Sequence, residues 1–184
     1  MNKVDNYGSE VSPFYLVLSM WVGCIITAVM VRSRYLNPKY SPLELYFGKL
    51  GLFILLGLLQ TTVTMACAFI MSIQILNIPL FIVSMYIITI VFMLFVYSCI
   101  SVFGNVGNGI VIILLVLQIL STGGIYPVQV MAPFFQFISP FMPMTYAIVM
   151  IREASLGLYL SNYLFALSLI IANGYCNFHN CSNY

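Results

Sequence analysis

Long apolar runs alternate with short polar connections along this chain, and most of the runs have the length of membrane-spanning helices. The stretch from Leu50 to Ile151 holds no Asp, Glu, Lys or Arg over 102 residues. A helix needs about 20 apolar residues to cross a bilayer. The pattern predicts about five spans, over residues 14–31, 50–76, 80–102, 110–120 and 158–172. The first begins with the aromatic residues Phe14, Tyr15 and Trp21, which are typical of interfacial depth.

Composition supports this interpretation, because only 5% of the residues are charged and 62% are hydrophobic. Soluble chains carry about 25% charged residues. We therefore predict an all-α polytopic membrane protein. The net charge of +2 gives no reason to expect nucleic acid as a partner.

One apolar segment, residues 123–153, is too interrupted to form a single plain helix. Gly123 and Gly124 loosen its start, and four prolines each remove a backbone donor: Pro127, Pro133, Pro140 and Pro143. Broken backbone is tolerated in lipid only where protein or water satisfies the freed groups. The segment therefore either dips into the membrane under cover of neighbouring helices or lies along the outer interface. We predict two short helices, at 127–138 and 144–155, with a bend at Pro140–Pro143.

Positive charge is concentrated in the connection between the first two spans. It holds Arg32, Arg34, Lys39 and Lys49 against the single acidic residue Glu44. By the positive-inside rule this loop is cytoplasmic, which predicts an N-terminus outside and a C-terminus inside. Ser41-Pro42 followed by Glu44 is a helix-start pattern, and it predicts a short amphipathic surface helix that leads into the second span.

Glycine and polar residues inside the spans leave two interpretations open. Gly48, Gly51 and Gly57 lie at helical spacing and could let a neighbouring helix pack closely. The polar side chains after them either hydrogen-bond between helices or face a substrate: Gln60, Thr61, Thr62 and Thr64. Two tight turns are expected, an external one at 77–79 and a cytoplasmic one at 103–109. The fourth span could also extend back through the glycines or onward towards Gly123.

Recognised catalytic and metal-binding patterns are not found in the sequence. It has no phosphate-loop lysine motif, no plausible Ser-His-Asp set and no HExxH. Cys176, His179 and Cys181 fit no common zinc spacing. We therefore expect no enzyme activity, no cofactor and no metal. Arg152-Glu153 could clamp a substrate, but neighbours on a helix diverge by about 100°, and we predict that both lie at the outer interface.

Two groups of residues resemble a known family. One runs from Tyr7-Gly8 through Pro13-Phe14-Tyr15 to the stretch 18–23. The other comprises the stretch 121–128, Pro133-Phe134-Phe135, Pro140, the stretch 143–147 and Arg152-Glu153. Together they are similar to the phage infection protein (Pip/YhgE) family and, more widely, to the membrane domain of ABC-2 type exporters. The resemblance extends from Tyr7 to about Ala172.

This resemblance implies a permease-like domain whose first helix and extracellular insert would precede Met1. Residues 1–13 would then end the extracellular region, residues 14–172 would form the transmembrane domain, and residues 173–184 would be an atypical polar tail. Residues 32–49 resemble a cytoplasmic coupling region. The candidate structural or gating residues are Gly123, Gly124, Pro127, Pro133, Pro140, Pro143, Tyr146, Arg152 and Glu153.

Two functions follow as expectations. The first is a transport component of the bacterial plasma membrane that forms a homodimer and is driven by a separate ATP-binding subunit. The alternative is a membrane anchor for a phage receptor or a secretion scaffold, whose extracellular part would carry the activity.

Overall fold

The computed structural model describes residues 7–32, 42–123, 130–157 and 160–182, and every described element is helical. The helices are α1 (Tyr7–Arg32), α2 (Pro42–Ile70), α3 (Ile78–Phe103), α4 (Asn105–Ser121), α5 (Pro133–Ile138), α6 (Pro143–Leu156) and α7 (Leu160–Ser182). A single 3-10 turn, Ser139–Phe141, follows α5 directly.

Three of these helices are long and apolar enough to cross a membrane, within Val11–Met30, Gly48–Ile70 and Ile78–Phe103. The α5–α6 pair passes the same test jointly, although it is bent by 75°. The apolar stretches of α4 and α7, Val106–Ser121 and Ser161–Ala172, are shorter. The chain is therefore an all-α polytopic membrane protein. The predicted fourth and fifth spans coincide with these two shorter helices.

Helix α3 lies at the centre of the bundle and packs against α1, α2, α4, α6 and α7. Its Phe92 is fully buried, and its ring meets that of Trp21 edge to face at a centroid distance of 4.7 Å. Such aromatic pairs contribute about 0.5–1.5 kcal/mol beyond their buried area. Trp21 therefore belongs to the core of the helix bundle, and its predicted role as an interfacial anchor is wrong.

The first two helices differ from the sequence prediction in extent. α1 starts at Tyr7, seven residues before the predicted span, and continues through the buried Pro13. α2 does begin at Pro42, as the helix-start pattern predicted, but it continues to Ile70 without a break. The separate surface helix is therefore not formed.

Helix α2 ends earlier than its hydropathy suggested. Ser72 has a φ of 53°. The Ile73 amide donates to the Ala68 carbonyl at 3.3 Å, and the Ser72 amide donates to that of Phe69 at 3.0 Å. This is the Schellman pattern of a helix C-terminus. The predicted extension to residue 76 is wrong, and the connection to α3 covers residues 71–77.

A single residue separates α3 from α4. Gly104 has a φ of 61°, which favours glycine, and α4 starts at Asn105, so the helix does extend back through the other glycines. At Gly107 a Cβ would lie 2.5 Å from the Cys99 carbonyl oxygen and 2.8 Å from the Ile100 Cα. Backbone therefore meets backbone, and α4 returns along α3 as the second arm of a tight hairpin.

The last helix continues past the predicted end of its span. α7 runs as helix from Leu160 to Ser182, although hydropathy indicated an end near residue 172. Polar residues such as those of this tail lower the hydropathy but still allow a helix to form.

Of the three glycines in α2, only Gly57 packs closely. A Cβ at Gly57 would meet Met93, whereas none of the described atoms comes within 4 Å of one at Gly48 or Gly51.

Candidate functional site

The bend between α5 and α6 is built by proline chemistry. Pro133 and Pro143 occupy the first turns of their helices, where the missing amide donor costs little. Between them, the Met142 amide bonds the Ser139 carbonyl at 3.2 Å, and Met142 itself is extended. The predicted bend at Pro140–Pro143 is confirmed. The first helix is shorter than predicted, because α5 begins at Pro133, while Gly124 and Pro127 lie outside the described residues.

Side chains of α6 satisfy the carbonyls that the bend leaves free. The Tyr146 hydroxyl donates to the Pro140 carbonyl at 2.7 Å. The Thr145 hydroxyl donates to the Ser139 carbonyl at 3.0 Å. Broken backbone can persist at membrane depth when its polar groups are paired in this way. Tyr146, a predicted site residue, thus braces the bend.

The end of α6 lies at the connection between α2 and α3. The Leu76 amide donates to the Ser155 carbonyl at 3.0 Å, and the Asn77 amide donates to that of Ala154 at 3.3 Å. These bonds tie the end of α6 to residues 71–77. α4 runs back along α3 from Gly104, and after it Gly123 has a φ of 64°. The 75° bend of the α5–α6 pair fits a broken span or a re-entrant loop, and entry and exit of the pair on one side of the membrane stays a prediction.

Helix α6 forms the sheltered part of this angle. It packs against α1, α3 and α7, and its buried face includes Met144, Ala147, Ile148 and Ile151. α5 has no buried residue, and it exposes the rings of Phe134 and Phe137. At about 1.5 Å per residue, the 14 residues of α6 cover about 21 Å. The bend therefore lies well away from the connection that holds the end of α6.

The adjacent charges near the end of α6 differ in environment. Arg152 is exposed, whereas Glu153 is half-buried and has an interaction partner. Their position beside residues 76–77 is compatible with the predicted interface location, which stays a prediction. Of the predicted coupling residues, Arg32 ends α1, while Glu44 and Lys49 lie in the first turns of α2. Arg34 and Lys39 lie outside the described residues.

Unpaired polar side chains mark the end of α4. Gln118, Ser121 and Thr122 are buried, and their side-chain polar atoms have no hydrogen-bond partner in the part of the chain that the structure describes. Their spacing places them on one face of the helix. Leaving such a group unsatisfied costs about 1–3 kcal/mol. The end of α4 beside the bent pair is therefore a polar interior, which the sequence analysis missed.

The polar residues of α2 divide between two roles. The Thr61 and Thr89 hydroxyls meet at 2.5 Å in the core, and the Thr62 and Tyr86 hydroxyls meet at 3.1 Å, so both threonines join α2 to α3. Gln60 and Thr64 instead line a cavity of about 680 Å³ between α1 and α2. The interhelical interpretation is confirmed for Thr61 and Thr62, and the Gln60 amide also bonds α1. The substrate-facing interpretation of this polar group stays a prediction.

The cavity was not predicted, because it needs Gly23 of α1. A Cβ at Gly23 would overlap the terminal amide of Gln60. That amide donates to the carbonyl oxygens of Ser19, at 3.2 Å, and Met20, at 3.4 Å. A glycine that lies opposite a glutamine of another helix, far along the chain, gives no local signal in the sequence.

The apolar helices and the bent α5–α6 pair define a multi-pass membrane domain. The ABC-2 type transporter family matches residues 13–156, and the chain belongs to this family. It is also 27% identical over 150 residues to the uncharacterized protein YhgE of Bacillus subtilis (strain 168). That match covers 80% of this chain but 19% of the relative, so the chain spans about a fifth of that protein's length. No solved structure matches. The resemblance found in the motifs is confirmed.

Proposed function

We propose that this chain is the permease-like membrane domain of an export system in the bacterial plasma membrane. The observation that carries the proposal is the α5–α6 angle, whose carbonyls at the bend accept from Thr145 and Tyr146 and whose α6 arm packs against α1, α3 and α7. Irregular backbone at membrane depth is tolerated where it is covered by protein or lines a cavity. Membership of the ABC-2 type transporter family supports the same function.

The proposed orientation places the N-terminus outside and the C-terminus inside. It rests on the four basic residues within 32–49. In this orientation the basic loop faces the cytoplasm, where an ATP-binding subunit could contact it and supply the energy for transport. Two copies of the domain would enclose the path, with the α5–α6 angle on the outer side.

The test is purification of the tagged full-length protein from its own membranes, followed by identification of co-purifying ATP-binding proteins. We expect one such subunit. Its recovery should fall for Arg34→Lys and Glu44→Gln, which change contacts but keep the loop positive and therefore preserve topology. Arg152→Lys, an equally conservative change on the opposite side, is the control. A protein that purifies without any ATP-binding partner in several mild detergents would contradict the proposal.

A second candidate is a membrane anchor for a phage receptor or a secretion scaffold. The observation in its favour is that most of the YhgE relative lies outside the matched region. Replacement of residues 14–172 by unrelated spans in the full-length protein separates the two. Retained adsorption or secretion would favour the anchor, whereas loss of function at normal membrane levels would favour the permease.

A further inference from the structure

A continuous groove runs along the α1–α2 pair. The cavity of about 680 Å³ and a second of about 590 Å³ share Tyr15, Ser19 and Thr64, so they form one trough, here called the α1–α2 groove. Its outer end reaches Met71 and Ile73, and its inner end reaches Thr27. Each cavity falls within the range of about 300–1,000 Å³ that is typical of small-molecule sites.

Three polar side chains at the centre of this groove, Ser19, Gln60 and Thr64, already donate their hydrogen bonds to backbone carbonyls. The Ser19 hydroxyl donates to the Leu16 carbonyl at 2.8 Å, and the Thr64 hydroxyl donates to the Gln60 carbonyl at 3.1 Å. The Gln60 amide nitrogen donates to the carbonyls of Ser19 and Met20. These protons point at backbone, so the capacity that remains for a ligand is acceptor capacity.

The orientation of the Gln60 amide is fixed by its surroundings. Two carbonyl oxygens lie beside its Nε2, and a reversed amide would place Oε1 against them, oxygen against oxygen. Gly23 supplies the space in which the amide lies. Gln60 Oε1, Ser19 Oγ and Thr64 Oγ1 therefore form an acceptor array. The Thr27 hydroxyl at the inner end can donate or accept a hydrogen bond. Only the three central side chains are therefore restricted to accepting one.

Most of the remaining lining is apolar and open to the side, and the hydroxyls of Ser12, Tyr15, Thr27 and Ser72 are its other polar groups. Tyr15, Ile26, Val63 and Met71 border the groove, and each exposes more than half of its surface. No Asp, Glu, Lys or Arg is among the lining residues. Gln60 lies in the apolar stretch Gly48–Ile70, about 15 Å from its outer end at about 1.5 Å per residue. An ionic group at this depth would be costly without a charged partner.

We propose that the α1–α2 groove binds a neutral amphipathic lipid that donates a hydroxyl hydrogen bond to Gln60 Oε1, Ser19 Oγ or Thr64 Oγ1. Acyl chains would cover the exposed apolar border, and the hydroxyl would meet the acceptor array. A charged headgroup is disfavoured by the neutral lining. Ser19, Thr64 and Gln60 offer a bound lipid acceptors and no free donor. This site is independent of the transport proposal, since a lipid could bind there in an anchor as well.

The test uses dioleoylglycerol that carries a photoactivatable group in one acyl chain, added to the full-length protein in phosphatidylcholine nanodiscs. We expect cross-links within residues 11–27 and 60–73. Unlabelled dioleoylglycerol should compete, whereas the same lipid with its hydroxyl acetylated should compete about three- to ten-fold less well, as expected for loss of one hydrogen bond. Equal competition by the acetylated lipid would overturn the proposal, and this comparison needs no variant.

A matched pair of substitutions makes the test specific to the site. Thr64→Val removes an acceptor with little change in shape and should lower labelling about three- to ten-fold. Thr62→Val makes the same change two residues away, where the hydroxyl meets Tyr86 outside the groove, and should leave labelling unchanged. Equal labelling of both variants would contradict the proposal. Cross-links from the groove to a second protein copy, with no lipid adduct, would show that protein occupies it instead.

Discussion

The close approach of α4 to α3 gives a sharp prediction for two glycines of the same helix. At Gly107 an added Cβ would lie 2.5 Å from the Cys99 carbonyl oxygen, whereas at Gly109 none of the described atoms comes within 4 Å. Alanine favours helix over glycine by about 1 kcal/mol at either position. Gly109→Ala should therefore be neutral or stabilising by up to that amount.

Gly107→Ala carries the same propensity gain but adds a clash with backbone. Ordinary contact begins near 3.4 Å, so the two helices must separate by about 0.9 Å at this point. A gap of about 0.5–1 Å forfeits a quarter to a half of the contact energy of the atoms that line it. Overpacking of this kind costs about 1–3 kcal/mol. Gly107→Ala should therefore be less stable than Gly109→Ala by about 1–3 kcal/mol.

The assay is thermal unfolding in detergent, monitored by the emission of the single tryptophan, Trp21, which is fully buried against Phe92 of α3. In a background whose other cysteines are replaced, a thiol-reactive dye gives an independent signal, because Cys24 is buried in the same core whereas Cys67 is exposed. Both signals should report a lower midpoint for Gly107→Ala than for Gly109→Ala. Equal midpoints for the two variants would refute the backbone contact between α3 and α4.

Three further predictions concern the bend, the helix pairing and the outer charges. Tyr146→Phe leaves the Pro140 carbonyl without its donor and should lower the free energy of unfolding by about 1 kcal/mol, measured by the same melt. Thr61→Val breaks the buried pair with Thr89, and a double-mutant cycle with Thr89→Val should give a coupling energy of about 0.6–1.7 kcal/mol. A coupling energy of zero would contradict the pairing. Arg152→Leu should lower the yield of monodisperse protein more than Arg152→Lys, since lysine can also reach the headgroups, whereas normal yield with abolished activity would show a direct role in function.

The bend could be predicted from the sequence because its cause is local. A proline lacks its amide donor wherever it lies, so Pro140 and Pro143, three residues apart, strongly disfavour a continuous helix through both. The start of α5 could not be predicted as well, because Pro127 and Pro133 both suit a first helical turn. The end of α2 was missed for a different reason: Ile73, Ile75 and Leu76 prolong the apolar run, and hydropathy does not report that Ser72 adopts a left-handed conformation.

The groove could not be predicted, because it depends on a pairing between distant residues. Gln60 was recognised as a polar residue inside a span, but its role depends on Gly23 and on the carbonyls of Ser19 and Met20. The contact between Gly107 and Cys99 could not be predicted either, because it joins two helices. The sequence pattern assigned all the glycines to a turn, whereas Gly104 forms the turn and Gly107 allows the helices to pack closely.

The most direct test concerns the claim that the α5–α6 angle enters and leaves on one side of the membrane. Single cysteines at Val130 and Ser161, in a background without the native cysteines, should react with an impermeant reagent on intact cells, as should one at Leu76 in the connection between α2 and α3. Cysteines at Phe103 and at Ser33, which lies outside the described residues, should react only after permeabilisation. Labelling of Val130 and Ser161 from opposite sides would show instead that α5 and α6 form a broken span.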